Sequence, residues 1–221
     1  MGNVVVRLGL AALLSLSATA VAAQTPQRAD RPEIKTGDLW IFQNRDLRTG
    51  ERKDISFTVT GVNANGMVME TGGSTSGAWI FTRDWNPTER KTGTVVTEAY
   101  KPYWLCRQFP LQVGSTWETP FEVDVFGQFS KRVSNWRWKL RVVSVETVTV
   151  AAGTFQAFKI ESQASFNSRE GNKTWAGTQT ETMWYAPAAK VIVKRELVQS
   201  APTRNFEDRR AVELLSFKPA P

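Results

Sequence analysis

Carboxylates are the side chains best able to do chemistry in this chain, because imidazole is missing and thiol is nearly so. The sequence contains no histidine and a single cysteine, Cys106. That removes Ser-His-Asp and Cys-His nucleophilic schemes, and with them zinc sites built on imidazoles or several thiolates. No Walker loop, no G-x-G-x-x-G and no D-x-D-x-D-G calcium loop occurs. No cofactor or metal is expected. What survives is a pair of carboxylates working as acid and base. Glu118, Glu122, Asp124, Glu161 and Glu181 are the candidates, since they fall on or near strand-like segments. No spacing singles out two of them, and strand carboxylates ordinarily face water beside a Lys or Arg. A carboxylate-based hydrolase is therefore the least favoured function.

Aromatic residues point instead to binding. There are nine tryptophans, and each offers a broad apolar face with one N–H donor, which suits lipid tails, sugar rings or a protein partner. The candidate ligand-binding residues are Trp136, Trp138, Phe158, Ile160, Trp184 and Tyr185. They either line an open concavity or form a packed core; the pattern alone allows both. Trp85 and Trp104 sit in irregular, proline-flanked stretches and are expected to be exposed. Lys131, Arg132, Arg137, Lys139 and Arg141 form the densest basic patch. Such a patch suits lipid phosphates or acidic glycans, or else is the wet face of a one-sided sheet.

These residues need strands to place them. From Asn135 to Phe166, Trp136, Trp138, Leu140 and Val142 alternate with Arg137, Lys139 and Arg141. A period of two puts the apolar set on one face and the cations on the other. Ala151-Ala152-Gly153-Thr154 supplies a turn. Beyond it Phe158, Ile160, Ala164 and Phe166 alternate with Lys159, Glu161 and Gln163. The result is a long hairpin, which needs further strands to cover its apolar face.

The rest of the chain supplies them. Strands are expected around Trp40–Phe42, Ile55–Gly61, Met67–Glu70, Ala78–Thr82 and Thr94–Tyr100, with Arg83–Thr94 irregular. Asn63-Ala64-Asn65-Gly66 is a hairpin signal. Thr174, Thr178, Thr180 and Thr182 share one strand face, and Gln179, Glu181, Met183 and Tyr185 the other. Val191–Val198 and Arg209–Phe217 close the series, although Phe206–Leu215 also fits a helical period. Ile34 to Trp40 and Leu111 to Trp117 share an aliphatic-x-x-Gly-x-x-Trp pattern, which suggests two related half-sheets. The fold expected is all-β and antiparallel, an open or incomplete β-barrel, with a β-sandwich as the alternative.

Residues 1–23 read as a signal peptide: Arg7, an apolar run from Leu8 to Val21, and small residues at Ala20 and Ala22. No cysteine lies just after it, so a lipid-anchored mature end is not expected. Residues 24–32 are polar and proline-bearing, a flexible lead-in. Residues 33–217 make a single β domain and 218–221 a tail. The formal charge is +7, which favours anionic surfaces; outside the cytoplasm nucleic acid is not expected as a partner. Cys106 is expected to be buried.

Three patterns together resemble a family of exported bacterial β-proteins of unknown function. They are Phe109-Pro110-Leu111-x-Val113-Gly114-x-x-Trp117, then Val150-x-Ala152-Gly153-Thr154-Phe155-x-Ala157-Phe158-Lys159-Ile160-Glu161, then Trp184-Tyr185-Ala186-Pro187 followed by Val191-x-Val193-Lys194-Arg195-Glu196. The resemblance implies a periplasmic or secreted all-β domain. It looks like the open barrels of LolA-type lipoprotein carriers at the level of fold alone, and it brings no catalytic residues. The function expected is a non-catalytic binding or carrier module for an apolar or amphipathic ligand, a lipid or a glycan, with membrane-surface contact. An envelope protein-interaction or assembly factor is the second possibility.

Overall fold

The computed structural model describes residues 28–73 and 77–221; the expected signal peptide lies outside them. The strands are β1 (Arg28–Ala29), β2 (Leu39–Asp46), β3 (Arg52–Asn63), β4 (Gly66–Gly73), β5 (Gly77–Phe81), β6 (Pro87–Thr92), β7 (Val95–Lys101), β8 (Leu111–Gln112), β9 (Thr116–Phe126), β10 (Lys131–Val150), β11 (Gly153–Glu170), β12 (Lys173–Ala186), β13 (Val191–Ala201) and β14 (Phe206–Lys218). Twelve of them form a ring in which each strand pairs antiparallel with its chain neighbour. The ring closes because β14 pairs with β2 and β7 pairs with β9. The barrel is therefore closed, neither open nor a sandwich. Closure uses the backbone groups that an open sheet would leave bare at its two edges.

Several local expectations change for identifiable reasons. Arg83–Thr94 is not irregular throughout, since Pro87–Thr92 forms β6. Phe206–Leu215 is strand, because every residue from Phe206 to Arg210 finds a register partner on β13. The turn after Asn63 has Ala64 and Asn65 at its centre, and the Asn63 Oδ1 accepts from the N–H groups of Asn65 and Gly66. Gly66 belongs to β4. It is needed for space: a Cβ there would collide with the Phe81 carbonyl of β5. Within the stretch expected as lead-in, Arg28–Ala29 pair with Leu111–Gln112. At the other end the Ala220 N–H donates to the buried Asp38 (2.7 Å).

The two Gly-x-x-Trp segments adopt the same geometry. Gly37 and Gly114 both take positive φ. Gly37 N–H donates to the Val59 carbonyl, and the Val59 N–H returns to Asp38; Gly114 and Ser115 make the same pair of bonds with Val142. In each case the contacted strand bulges just afterwards, between Val59 and Gly61 and between Val142 and Ser144. Trp40 and Trp117 are both buried, donating to the carbonyls of Ala189 and Leu105.

The core forms two clusters. One holds Trp40, Val59, Met67, Met69 and Leu214; the other holds Trp138, Leu140, Val142, Phe158, Ile160 and Tyr185. Past its bulge, β10 turns Val148 and Val150 the opposite way from Val145, and they join the first cluster. The segment between β7 and β8 turns inward. Cys106 and Arg107 are buried against Trp85 and Asn86, and Phe109 meets Tyr185 edge-on. This segment fills one end of the barrel.

Candidate functional site

Because the strands run up and down in sequence, the turns at 47–51, 93–94, 127–130, 171–172 and 202–205 all lie at the end away from the inward segment. At that end the lumen holds a cavity of about 610 Å³. Its wall is aromatic. Tyr100 of β7, Phe121 of β9, Trp136 of β10 and Phe166 of β11 form one continuous band, with Trp136 stacked on Phe121 and its ring centre 4.4 Å from that of Phe166. Trp175 of β12 completes the wall towards the mouth. The strand registers dictate this: Trp136 pairs with Phe121 on one side and Phe166 on the other, so all three side chains leave the sheet together.

Charge is laid over this band. Arg195 of β13 lies above the Trp104 ring at 5.8 Å and pairs with Glu181 of β12, which is fully buried and also accepts from Gln179 Nε2 (3.2 Å). Burial alone would lower the Arg195 pKa; Glu181 outweighs it and holds the value above the ordinary one. On the opposite wall Glu98 accepts from the Tyr100 hydroxyl (2.7 Å) and pairs with Arg90 (3.1 Å). Burial first, and the Glu98 charge second, push the Tyr100 phenol well above its usual range, so it remains a neutral donor. Arg132, Arg204 and Arg210 stand at the mouth, where Arg204 covers the Trp175 ring at 4.4 Å.

The six residues read from sequence do not form one site. Trp136 lines the cavity and Trp138 is buried in its wall. Phe158, Ile160 and Tyr185 are fully buried in the packed core beyond the cavity. Burial pushes the Tyr185 phenol up. Trp184 alternates with Tyr185, so it points through the opposite sheet face, where its N–H donates to Glu146 and Lys194 covers its ring at 4.9 Å. Trp104 is half-buried because the inward segment carries it into the barrel, and Trp85, in the β5–β6 connection, is buried because Trp40 and that segment's Cys106 and Arg107 pack against it. Phe166 belongs to the alternation read from Phe158; Phe121 was missed, although Trp117, Phe121, Val123 and Val125 recur with the same two-residue period, and Trp104 had no local signal.

The basic patch also divides. Arg132 shares the lumen face with Trp136, whereas Arg137, Lys139 and Arg141 point outward. Lys139 pairs with Glu118 (3.1 Å), and Arg141 stands opposite Glu161. Lys131 pairs with Asp124 (2.8 Å), which Lys101 also reaches. Burial would raise the Asp124 pKa, but hydrogen bonds from the two lysines hold it below the usual carboxylate value. The candidate carboxylates are thus dispersed. Glu181 is inside the barrel, Glu118 and Glu161 border a trough of about 840 Å³ on the outer face, and Glu122 and Asp124 share Lys101. No group of three or more His, Cys, Asp or Glu among the described residues is placed to hold a metal ion.

No protein-family model matches the chain, and no curated protein matches it either. Solved structures do. A protein with a YmcC-like fold from Bacteroides fragilis, inferred to be exported, is 14% identical with TM-score 0.41, over 86% of this chain and 99% of its own. A protein from Parabacteroides distasonis, inferred to be a lipoprotein, is 13% identical with TM-score 0.43, over 86% and 99%. The hypothetical lipoprotein YmcC from Escherichia coli is 14% identical with TM-score 0.47, over 82% and 84%. Likeness at this level carries no activity or ligand across, so function rests on this chain's own residues.

Proposed function

We propose that this chain is an exported, non-catalytic binding module whose barrel lumen takes an amphipathic ligand. The observation that carries the reading is the aromatic-walled cavity open at one barrel end. Its volume, about 610 Å³, falls within the range of roughly 300–1,000 Å³ common to small-molecule sites. Tyr100, Phe121, Trp136 and Phe166 offer flat faces for the apolar part of a ligand. Arg195, Gln179 and the mouth arginines offer donors for its polar part. The leader read at residues 1–23 supports export to the periplasm or beyond. The assembly-factor reading loses its simplest route, because the closed ring leaves no free strand edge for a partner to extend.

Purification of the mature protein followed by organic extraction and mass spectrometry tests the proposal. A co-purified lipid-like molecule is the expected result, with Trp136→Ala lowering affinity about tenfold through loss of one ring face. A clean extract, together with indole fluorescence that does not respond to added long-chain amphiphiles, would overturn it.

A further inference from the structure

Seven large hydrophobic residues are exposed among the described residues, and five of them, Leu47, Val95, Phe126, Phe129 and Phe206, lie at the cavity end. Phe129 is the extreme case at 91% exposure. It sits at the tip of the β9–β10 turn, which is closed by the Gly127 N–H donating to the Ser130 carbonyl (2.8 Å), so the ring is held away from the body. Scattered exposed apolar side chains need no explanation, but collection at one end, around a cavity mouth, does.

The same rim is cationic. Its acidic residues are largely engaged: Glu51 with Lys53, Glu207 with Arg209, Asp208 with Arg210, and Glu170 with the Ser130 hydroxyl. Arg132, Arg169, Lys173 and Arg204 have no carboxylate partner among the described residues. Apolar tips set among unmatched cations are the pattern that seats a protein on a membrane interface, with rings in the headgroup layer and cations on lipid phosphates. The barrel's outer wall excludes passage through the bilayer by its strands. Glu118, Arg137, Lys139, Glu161 and Glu196 face outward where a spanning barrel presents an apolar band.

We infer that the rim bearing Phe129, Phe206, Arg132 and Lys173 docks on the surface of an anionic bilayer, with the cavity mouth turned towards the lipid. The inference stands on the rim and not on what fills the lumen, so the extraction experiment and the one below fail independently. The mature protein is sedimented with vesicles of phosphatidylcholine alone and with vesicles in which part of it is replaced by anionic phosphatidylglycerol. Binding is expected only to the second, with each cation removed outside the cavity lining (Arg169→Gln, Lys173→Gln) weakening it about fivefold and added salt weakening it further. Phe129→Ser changes a side chain in solvent, so it leaves the fold intact while reducing binding. Equal binding to both vesicle types, no binding to either, or capture by an envelope protein without vesicle binding would each overturn the inference, as would Phe129→Ser binding like wild type.

Discussion

Replacing Gly177 with alanine tests the cavity wall most directly. Gly177 lies opposite Phe166 on the β11–β12 ladder, and the Phe166 ring lies across it. A Cβ added there would stand 2.6 Å from Phe166 Cε1, and closer still to Phe166 Cζ and the Ser200 carbonyl oxygen of β13. Carbon atoms rest about 3.5–4 Å apart, so the ring must withdraw by roughly 1 Å. Moving the ring relieves only half the conflict, because the Ser200 oxygen belongs to backbone held in the β12–β13 ladder. Overpacking of this kind costs about 1–3 kcal/mol. For a domain of this size that corresponds to a Tm lower by about 3–10 °C in differential scanning calorimetry. Gly61→Ala is the control, since its Cβ meets nothing within 4 Å. Near-ultraviolet circular dichroism should change in the first variant and not in the second, because Phe166 is packed on Trp136. Melting of Gly177→Ala within about 1 °C of Gly61→Ala would refute the packing described here. Measured in a Phe166→Ala background, Gly177→Ala should cost less by the ring's share alone, with the share due to the Ser200 carbonyl remaining.

Three further perturbations probe other parts of the barrel. Arg195→Met strands the fully buried Glu181 with Gln179 alone, at a cost of about 3–5 kcal/mol by urea unfolding. Glu181→Gln should cost less, because Arg195 keeps an edge on the cavity. Trp40→Phe orphans the Ala189 carbonyl and should cost about 1–3 kcal/mol more than Trp138→Phe, whose indole N–H has no protein acceptor. Asp124 has a lowered pKa, so its stabilisation is complete above the ordinary carboxylate value of about 4 and disappears as pH falls through the lower folded value. The stability advantage of wild type over Asp124→Asn in an acid unfolding series should vanish in that window; an advantage constant down to the acid limit would contradict the assignment.

What the sequence determined by itself is what alternation can encode. The two-residue period of Trp136 to Val142 and of Gln179 to Tyr185 assigned strands and faces correctly, since neighbouring side chains on a strand must leave by opposite sides. The shared Gly-x-x-Trp spacing marked two segments that fold alike, because positive φ at Gly37 and Gly114 is a local demand. The absence of histidine removed whole classes of catalysis in the same direct way. Ring closure, by contrast, was decided by β2 meeting β14 and β7 meeting β9, pairings that carry no local mark in the chain. Whether Trp136 faced a hollow and Phe158 a packed core also depended on tertiary structure. Both occupy the same apolar face, and only the inward segment around Cys106, which fills one end of the barrel and leaves the other empty, tells them apart.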